Sequence, residues 1–325
     1  MYKATLQKYL EEKEKEKKIS KNTAKNYISS FNTLQTLFKT DNLKYIKNPE
    51  ETIKVIEKEY TNNQTIQAKI NIILLLIKLF YKGIKQYDEY YEIYDDYINK
   101  IRGNIITEYN KHEPSLMQLE RSLTKEENDK IITTLLNNVK YSIKTVDDLL
   151  ALRNYLIYMI LETMPIRGDF ANSVFILENI NNKYEENINY FVLDKQEKKV
   201  IYLQQNYKTK KKNGTRARLI DSNLYRFFVK LYNYYNNKLK IKEKHIFYQN
   251  DCITALNADN LSKIYKNIGV SIINKPLSLQ VNRVQNASED GGIIEYLNEK
   301  AEAQNHSLNT HVKIYYKKNM VSKKS

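Results

Sequence analysis

The chain is short of the residues that cross-link or sharply turn a polypeptide. Its 325 residues include one cysteine, seven glycines and four prolines. A single cysteine, Cys252, excludes an internal disulfide. Few glycines and prolines leave little material for the turns of an all-β fold, whereas the 42% of hydrophobic residues suffice for a core. The composition therefore predicts a mainly helical protein, and the length predicts two domains.

Long apolar segments are missing as well. The two most apolar runs, 71–81 and 155–164, are too short to cross a bilayer and are typical of buried helices. The first 18 residues are charged and contain no apolar core, so no signal peptide is expected. The sequence shows no Walker motif, zinc-ligand cluster or metal-binding carboxylate triad. We therefore expect an intracellular protein without a membrane partner, and no metal or nucleotide cofactor.

Positive charge is in excess. The sequence has 53 lysines and arginines against 38 aspartates and glutamates, which gives a net charge of +15 at pH 7. Such an excess favours a polyanionic partner, either nucleic acid or an anionic membrane surface. An AT-rich coding sequence also explains part of the lysine content, because it raises Lys, Asn, Ile and Tyr together, and tyrosines number 28. We favour nucleic acid as the partner.

Hydrophobic periodicity predicts a compact four-helix unit over residues 1–102. In residues 20–38 apolar side chains recur at steps of three and four, and Ser20 is a candidate N-cap. The predicted helices are 20–38, 50–59, 64–82 and 88–102.

Two lysines of the first of these helices are candidate contacts to a phosphate backbone. Lys21 and Lys25 lie off the apolar stripe of the helix and are free to face DNA. Residues 103–115 contain Gly103 and Pro114 and lack helical periodicity, so we interpret them as a linker.

The second unit opens with two predicted helices. Thr124 and Glu127 form a capping box ahead of an apolar-periodic run. A further helix over about 147–164 should end before Pro165, because the residue preceding a proline is pushed out of the helical region. Arg167 then lies just past a buried helix end, with Asp169 beside it. Taken alone, Arg167 is more simply interpreted as a partner of Asp169 or as a cap of that helix.

Residues 186–222 alternate apolar and polar side chains in the manner of β-strands. The segment KKKNG, which ends in Gly214, supplies the turn of a predicted hairpin. Solvated turns are often rich in lysine, so the tip is either a solvated turn or a contact to an anionic partner such as DNA. The cationic residues of the hairpin are Lys208, Lys210, Lys211, Lys212, Arg216 and Arg218.

Towards the C-terminus, a helix is predicted at 293–304, and it leads into the phrase NHSLNTHVKIYYKKN. Tyr315 follows His306 by nine residues, and Arg283 precedes His306 by 23.

This series of Arg, Lys on a hairpin, Arg, His and Tyr resembles the tyrosine recombinase (phage integrase-like) family. NHSLNTHVKIY is similar to the closing phrase of that family, in which a nucleophilic tyrosine follows a histidine by nine residues. TMPIRGDF is similar to its first-arginine phrase, and Arg283 stands where its second arginine stands. The YKT of NYKTKKKNG resembles the lysine hairpin in recombinases of large DNA viruses and their satellites. The resemblance covers essentially the whole chain.

The resemblance implies a fold that is mainly α with a small antiparallel β-hairpin or sheet. It implies a helical core-binding domain at 1–102, a linker at 103–115 and a mixed α/β catalytic domain at 116–325. The implied partner is double-stranded DNA, bound by a homotetramer assembled on paired sites. The implied activity is DNA recombination or integration, inside the cell and at DNA.

The resemblance also implies a role for each residue of the site. Arg167 and Arg283 would hold the charge on the phosphate oxygens, with His306 as a third donor. Tyr315 would attack the phosphorus and form a 3′-phosphotyrosine, and a hairpin lysine, preferably Lys208, would protonate the departing 5′-oxygen. The candidate DNA contacts are Lys21, Lys25, Lys210, Lys211, Lys212 and Arg216.

Two departures from the family pattern keep other interpretations open. Gln280 stands three residues before Arg283, where the family usually has His or Lys, and it can donate a hydrogen bond but cannot carry a proton. The acidic residue after Arg167 comes at the second position, as Asp169, and not at the third. The alternatives are a type IB topoisomerase and a catalytically inactive DNA-binding relative. His311 and Tyr316 break the nine-residue spacing, so we interpret them as structural.

Overall fold

A computed structural model describes most of the chain. The described residues are 2–110, 114–164, 166–179, 183–207, 210, 214–240 and 244–289. Several predicted features lie outside these ranges. They are Pro165, Lys208, Lys211, Lys212, the helix at 293–304, His306, His311, Tyr315 and Tyr316.

The chain divides into two compact units, which we call unit 1 (Met1–Pro114) and unit 2 (Ser115–Ser325). The described part of unit 1 contains five α-helices and a short 3₁₀ turn at Lys44–Lys47. The helices are α1 (Tyr2–Lys15), α2 (Lys21–Leu37), α3 (Pro49–Glu59), α4 (Asn63–Phe80) and α5 (Lys85–Asn110). The four helices predicted for this part of the chain are confirmed as α2 to α5, but the expectation of a four-helix unit is corrected, because α1 is a fifth helix whose Leu6 and Leu10 join the core.

The core of unit 1 is formed chiefly by the isoleucines and leucines of α4. Ile70, Ile73 and Leu76 are fully buried there, because this apolar helix lies among the other helices of the unit. The Ser20 hydroxyl accepts a hydrogen bond from the amide of Thr23 at 3.1 Å, which confirms the predicted cap of α2.

The predicted linker over 103–115 is wrong in most of its length, because α5 continues through Asn110. Gly103 does not end the helix, since a mid-helix glycine costs only about 1 kcal/mol relative to alanine. A long run of helical hydrogen bonds on both sides outweighs that cost. The boundary between the two units lies after Pro114.

The described part of unit 2 contains six α-helices and a four-stranded sheet. The helices are α6 (Leu116–Arg121), α7 (Lys125–Asn138), α8 (Val146–Thr163), α9 (Tyr225–Tyr234), α10 (Ala258–Ile273) and α11 (Leu279–Glu289). The capping box of Thr124 and Glu127 is confirmed at the start of α7, where both reciprocal hydrogen bonds form.

The sheet of unit 2 is mixed. Its strands follow the chain order β1 (Val174–Leu177), β2 (Tyr190–Asp194), β3 (Lys199–Gln204) and β4 (Arg216–Leu219). The predicted hairpin is confirmed as β3 and β4, which are antiparallel. The expectation of an antiparallel sheet is corrected, because β1 runs parallel to β2. The sequence analysis missed β1, since a short continuous apolar run has no alternation to distinguish it.

One residue from each of the four strands lies in a single row across the sheet. The strand registers align Phe175, Phe191, Tyr202 and Arg218 as successive neighbours. Because opposite residues share a face, the row places Arg218 on the same face as three buried aromatic rings. Phe228 of α9 stacks on Phe191 at 5.8 Å between ring centroids, so this face is the one that meets the helices. No helix in the described residues is long and apolar enough to cross a membrane.

Candidate phosphate-binding site

Arg167 lies in a short turn that follows the buried helix α8. The helix ends at Thr163, as the sequence predicted, and Arg167 adopts an extended conformation before a 3₁₀ turn at Gly168–Phe170. Its side chain is exposed and makes no hydrogen bond or ion pair with another described residue. Neither simple interpretation of Arg167, as an ion-pair partner of Asp169 or as a helix cap, is therefore seen in the described part of the chain.

Gly168 fixes the position of this turn through close packing. A Cβ added at Gly168 would lie 3.3 Å from the Cβ of Ala258 and 3.5 Å from the Cδ1 of Leu279. These two residues begin α10 and α11, so the absence of a side chain at Gly168 lets both helix starts approach the turn. The Arg167 turn is thereby held against the start of the helix that carries Arg283.

Arg283 lies one turn into α11 and is half-buried. Its Nε donates to the carbonyl oxygen of Leu279 at 3.3 Å, which keeps the side chain along the helix toward the Arg167 turn. Gln280, three residues earlier on the same helix, is exposed and lies on a neighbouring position of the same face.

Asp169 joins the two arginines electrostatically. Burial raises the pKa of its carboxyl, while the positive charges of Arg167 and Arg283 both oppose that rise. Both guanidiniums therefore act on the same carboxyl, although the sequence places them on separate elements. The expected proximity of the two arginines stays a prediction, and Asp169 supplies one partly buried carboxyl on which both act.

Unpaired polar atoms surround Asp169. Among the described residues, five buried side-chain atoms have no hydrogen-bond partner, and four of them belong to one group. These four are Asp169 Oδ2, Ser173 Oγ, Tyr202 OH and Arg218 Nε. Buried polar atoms are nearly always paired in folded proteins.

Tyr202 interacts with all three of the other residues in this group. Burial raises the pKa of the Tyr202 hydroxyl, the charge of Asp169 raises it further, and Ser173 and Arg218 oppose the rise. Ser173 is close enough to act on that pKa, but the geometry between the two hydroxyls falls outside that of a hydrogen bond, so we treat both as unpaired. Sequence analysis missed Ser173 and Tyr202, because their side chains are buried and belong to no motif.

The lysine hairpin is the third component. Gly214 has a φ of +68°, which a glycine adopts without strain, and its amide donates to the carbonyl oxygen of Lys210 at 2.8 Å. The ammonium of Lys210 donates to the backbone oxygen of Glu186, so this lysine is engaged within the protein. Arg216 is exposed and lies over the ring of Tyr207, 5.7 Å from its centroid.

Unit 1 offers a separate cationic surface on α2. Lys21 and Lys25 are exposed, lie one helical turn apart and form no ion pair with a described residue. Their ammonium groups are free of described partners.

No group of three or more metal-ligating side chains occurs among the described residues.

Comparison with known proteins leaves the family open. No family model matches the chain, and no curated protein matches it. The resemblance to tyrosine recombinases therefore depends on the residues themselves and on how the fold arranges them.

Proposed function

We propose that this protein is a site-specific DNA recombinase that cleaves and rejoins DNA strands through a 3′-phosphotyrosyl intermediate. The observation that carries the proposal is that Gly168, the neighbour of Arg167, packs against Leu279 at the start of the helix that carries Arg283, and that both arginines act electrostatically on Asp169. Two guanidiniums on neighbouring elements can hold a phosphate with developing charge.

In the proposed reaction, the phenolic oxygen of Tyr315 attacks the phosphorus while the bond from phosphorus to the 5′-oxygen breaks. Tyr315 loses its proton as the new bond forms, and the neighbouring cations favour the phenolate. Arg167 and Arg283 stabilise the negative charge on the non-bridging oxygens, with His306 as a third donor. A hairpin lysine, preferably Lys208, gives its proton to the departing 5′-oxygen.

Rejoining reverses these steps with a 5′-hydroxyl of the second strand as the nucleophile. The phosphotyrosine keeps the energy of the broken bond, so the exchange requires neither a metal nor a nucleotide. We propose double-stranded DNA as the substrate and a homotetramer on paired sites as the working assembly. Lys21, Lys25 and the hairpin cations Lys211, Lys212 and Arg216 would hold the DNA backbone, whereas Lys210 is bound to the backbone oxygen of Glu186.

A nicked suicide substrate tests this function. Cleavage releases the short DNA piece on the 3′ side of the cleaved bond, which carries the 5′-hydroxyl and diffuses away. Rejoining is then impossible, and the covalent protein–DNA adduct accumulates and is measured on a denaturing gel. We expect an adduct with the natural chain and with Tyr316→Phe, and none with Tyr315→Phe. An adduct with Tyr315→Phe, or none with the natural chain, would contradict the proposal.

Gln280 motivates the second candidate, a DNA-binding relative without catalytic activity. Its exposed amide on α11 next to Arg283 supplies a hydrogen bond to a phosphate but no proton. This candidate predicts normal DNA binding by the natural chain and no adduct. A type IB topoisomerase would instead form the adduct and relax a plasmid that lacks paired sites.

A further inference from the structure

Asn189 is a buried asparagine whose side chain uses its whole hydrogen-bonding capacity. It is 6% exposed and immediately precedes β2. Its Nδ2 donates to the carbonyl oxygens of Asp169 at 3.1 Å and Asn206 at 3.0 Å. Its Oδ1 accepts from the amides of Gln205 at 2.8 Å and Asn206 at 2.7 Å. An asparagine amide has two donor hydrogens and two acceptor lone pairs, and all four are satisfied here.

These four bonds join two components of the candidate site. Asp169 belongs to the turn that carries Arg167, and Gln205 and Asn206 are the first residues after β3, where the lysine hairpin leaves the sheet. The backbone oxygen of Asn189 also accepts from the amide of Val174 at 2.8 Å, which fixes the residue to the start of β1.

We propose that Asn189 is a positioning residue that sets where the hairpin lysine stands relative to the phosphate held by Arg167. This inference depends on the proposed recombinase function. A general acid must come within hydrogen-bond distance of the oxygen that it protonates. A misplacement of about 1 Å lowers a rate about 10²-fold, so a fixed link between phosphate binder and proton donor matters for catalysis.

Asn189 joins the Arg167 turn to the lysine hairpin. Of these two elements, we expect the hairpin to move when the Asn189 hydrogen bonds are lost. The Arg167 turn is also held by the packing of Gly168 against Ala258 and Leu279. At the base of the hairpin, Gln205 is buried and its Nε2 donates to the carbonyl oxygen of Glu185 at 3.2 Å, whereas Asn206 is exposed. Loss of the Asn189 bonds should therefore release the chain at Asn206, two residues before Lys208, while the packing at Gly168 keeps the Arg167 turn in place.

Asn189→Asp is the most selective variant. A carboxylate keeps the acceptor oxygen for the amides of Gln205 and Asn206, but it cannot donate to the carbonyl oxygens of Asp169 and Asn206. The variant therefore removes the hydrogen bond to the carbonyl oxygen of Asp169 in the Arg167 turn. The amides of Gln205 and Asn206, at the base of the hairpin, keep their acceptor. Asn189→Ala removes all four bonds and is the second variant.

The test compares two suicide substrates in single-turnover cleavage by the full chain. One has the natural 5′-oxygen, and the other has sulfur at that bridging position. Cleavage of the second breaks a phosphorus–sulfur bond, and the sulfur leaves as a thiolate that needs no proton, because the pKa of a thiol is only about 8.5. We expect both variants to cleave the oxygen substrate about 10- to 100-fold more slowly and the sulfur substrate at close to the natural rate.

Asn128→Ala is the matched control. The amide of Asn128 bridges α7 and α8, where it accepts from Tyr158 and donates to Glu162 at 2.7 Å, and it is remote in sequence from the hairpin. This variant should leave the ratio of the two cleavage rates unchanged. Equal slowing of both substrates by Asn189→Asp would overturn the positioning role. Failure of the natural chain to form an adduct with either substrate would instead contradict the recombinase function and, with it, this inference.

Discussion

The described parts of the two units differ in the number of buried polar side-chain atoms that have no hydrogen-bond partner. The core of unit 1 is largely aliphatic, and among its described residues only the hydroxyl of Tyr45 is buried without a hydrogen-bond partner. The described part of unit 2 has four such atoms, in Asp169, Ser173, Tyr202 and Arg218, and Tyr202 interacts with each of the other three residues. Unpaired buried polar groups destabilise a fold, so their concentration in unit 2 marks the place where structure departs from maximal stability.

The largest effect should come from the two arginines of unit 2. Arg167→Lys and Arg283→Lys keep the positive charge but lose the two-pronged guanidinium geometry. We expect adduct formation to slow by about 10²- to 10³-fold, the usual effect of removing one preorganised donor. Thermal unfolding of Arg167→Lys should match that of the natural chain, since Arg167 is exposed. Adduct formation at the natural rate by either variant would contradict a catalytic role for the substituted arginine.

Lysines of unit 1 should affect affinity and not chemistry. Lys21→Ala and Lys25→Ala should each weaken DNA binding uniformly across sequences and reduce the slope of log affinity against log salt by about 1. The rate of adduct formation at saturating protein should not change. Fluorescence anisotropy over a salt series measures the slope, and Lys54→Ala, an exposed lysine of α3, is the control. An unchanged slope would exclude these two lysines as phosphate contacts.

Asp169 should lower stability at neutral pH. Burial raises its pKa in the folded chain, so between the unfolded and folded pKa values the folded protein binds more protons, and stability falls as pH rises through that window. Asp169→Asn should lack this fall and be more stable than the natural chain at pH 7. The difference should disappear as the pH falls below both pKa values. Denaturant unfolding at several pH values measures it.

Asp251 provides a control of opposite sign. Hydrogen bonds from Thr254 and from the amides of Ile253 and Thr254 lower the pKa of its carboxyl. Its contribution to stability is therefore present above the unfolded pKa and is lost as pH falls through the folded pKa. Asp251→Asn should be less stable than the natural chain at pH 7. The same sign for Asp169→Asn and Asp251→Asn would contradict the account of Asp169.

The smallest effect concerns single hydroxyl groups. In unit 1, the hydroxyl of Tyr94 donates to the carbonyl oxygen of Ile46 at 3.4 Å, so Tyr94→Phe should lower the free energy of unfolding by about 0.5–1.5 kcal/mol. In unit 2, Tyr202→Phe removes a hydroxyl that has no described hydrogen-bond partner and should cost nothing or stabilise the fold. If Tyr94→Phe and Tyr202→Phe lower the free energy of unfolding equally, as measured by denaturant unfolding, the Tyr202 hydroxyl has a hydrogen-bond partner.

Local patterns were sufficient to predict the hairpin and six of the eleven α-helices in the described residues, namely α2 to α5, α7 and α8. The helix start at Ser20, the capping box at Thr124 and the helix end at Thr163 depend on residues within a few positions of each other, and all three are confirmed. Where local signals conflicted, the prediction was wrong. Gly103 suggested a linker, but the hydrogen bonds of a long helix outweighed it. The continuous apolar run of β1 gave no period, and only pairing with β2 makes it a strand.

The sequence by itself determined the charge, the helical class and the order of arginine, lysine, arginine, histidine and tyrosine that suggests a phosphate site. Only the tertiary structure decided that Arg167 and Arg283 act on one carboxyl, and that Asn189 joins the Arg167 turn to the hairpin. Neighbours along the chain determine helices, caps and turns. A cluster drawn from the turn after α8, from β3 and β4, and from α11 depends on packing between distant segments, which no local pattern records.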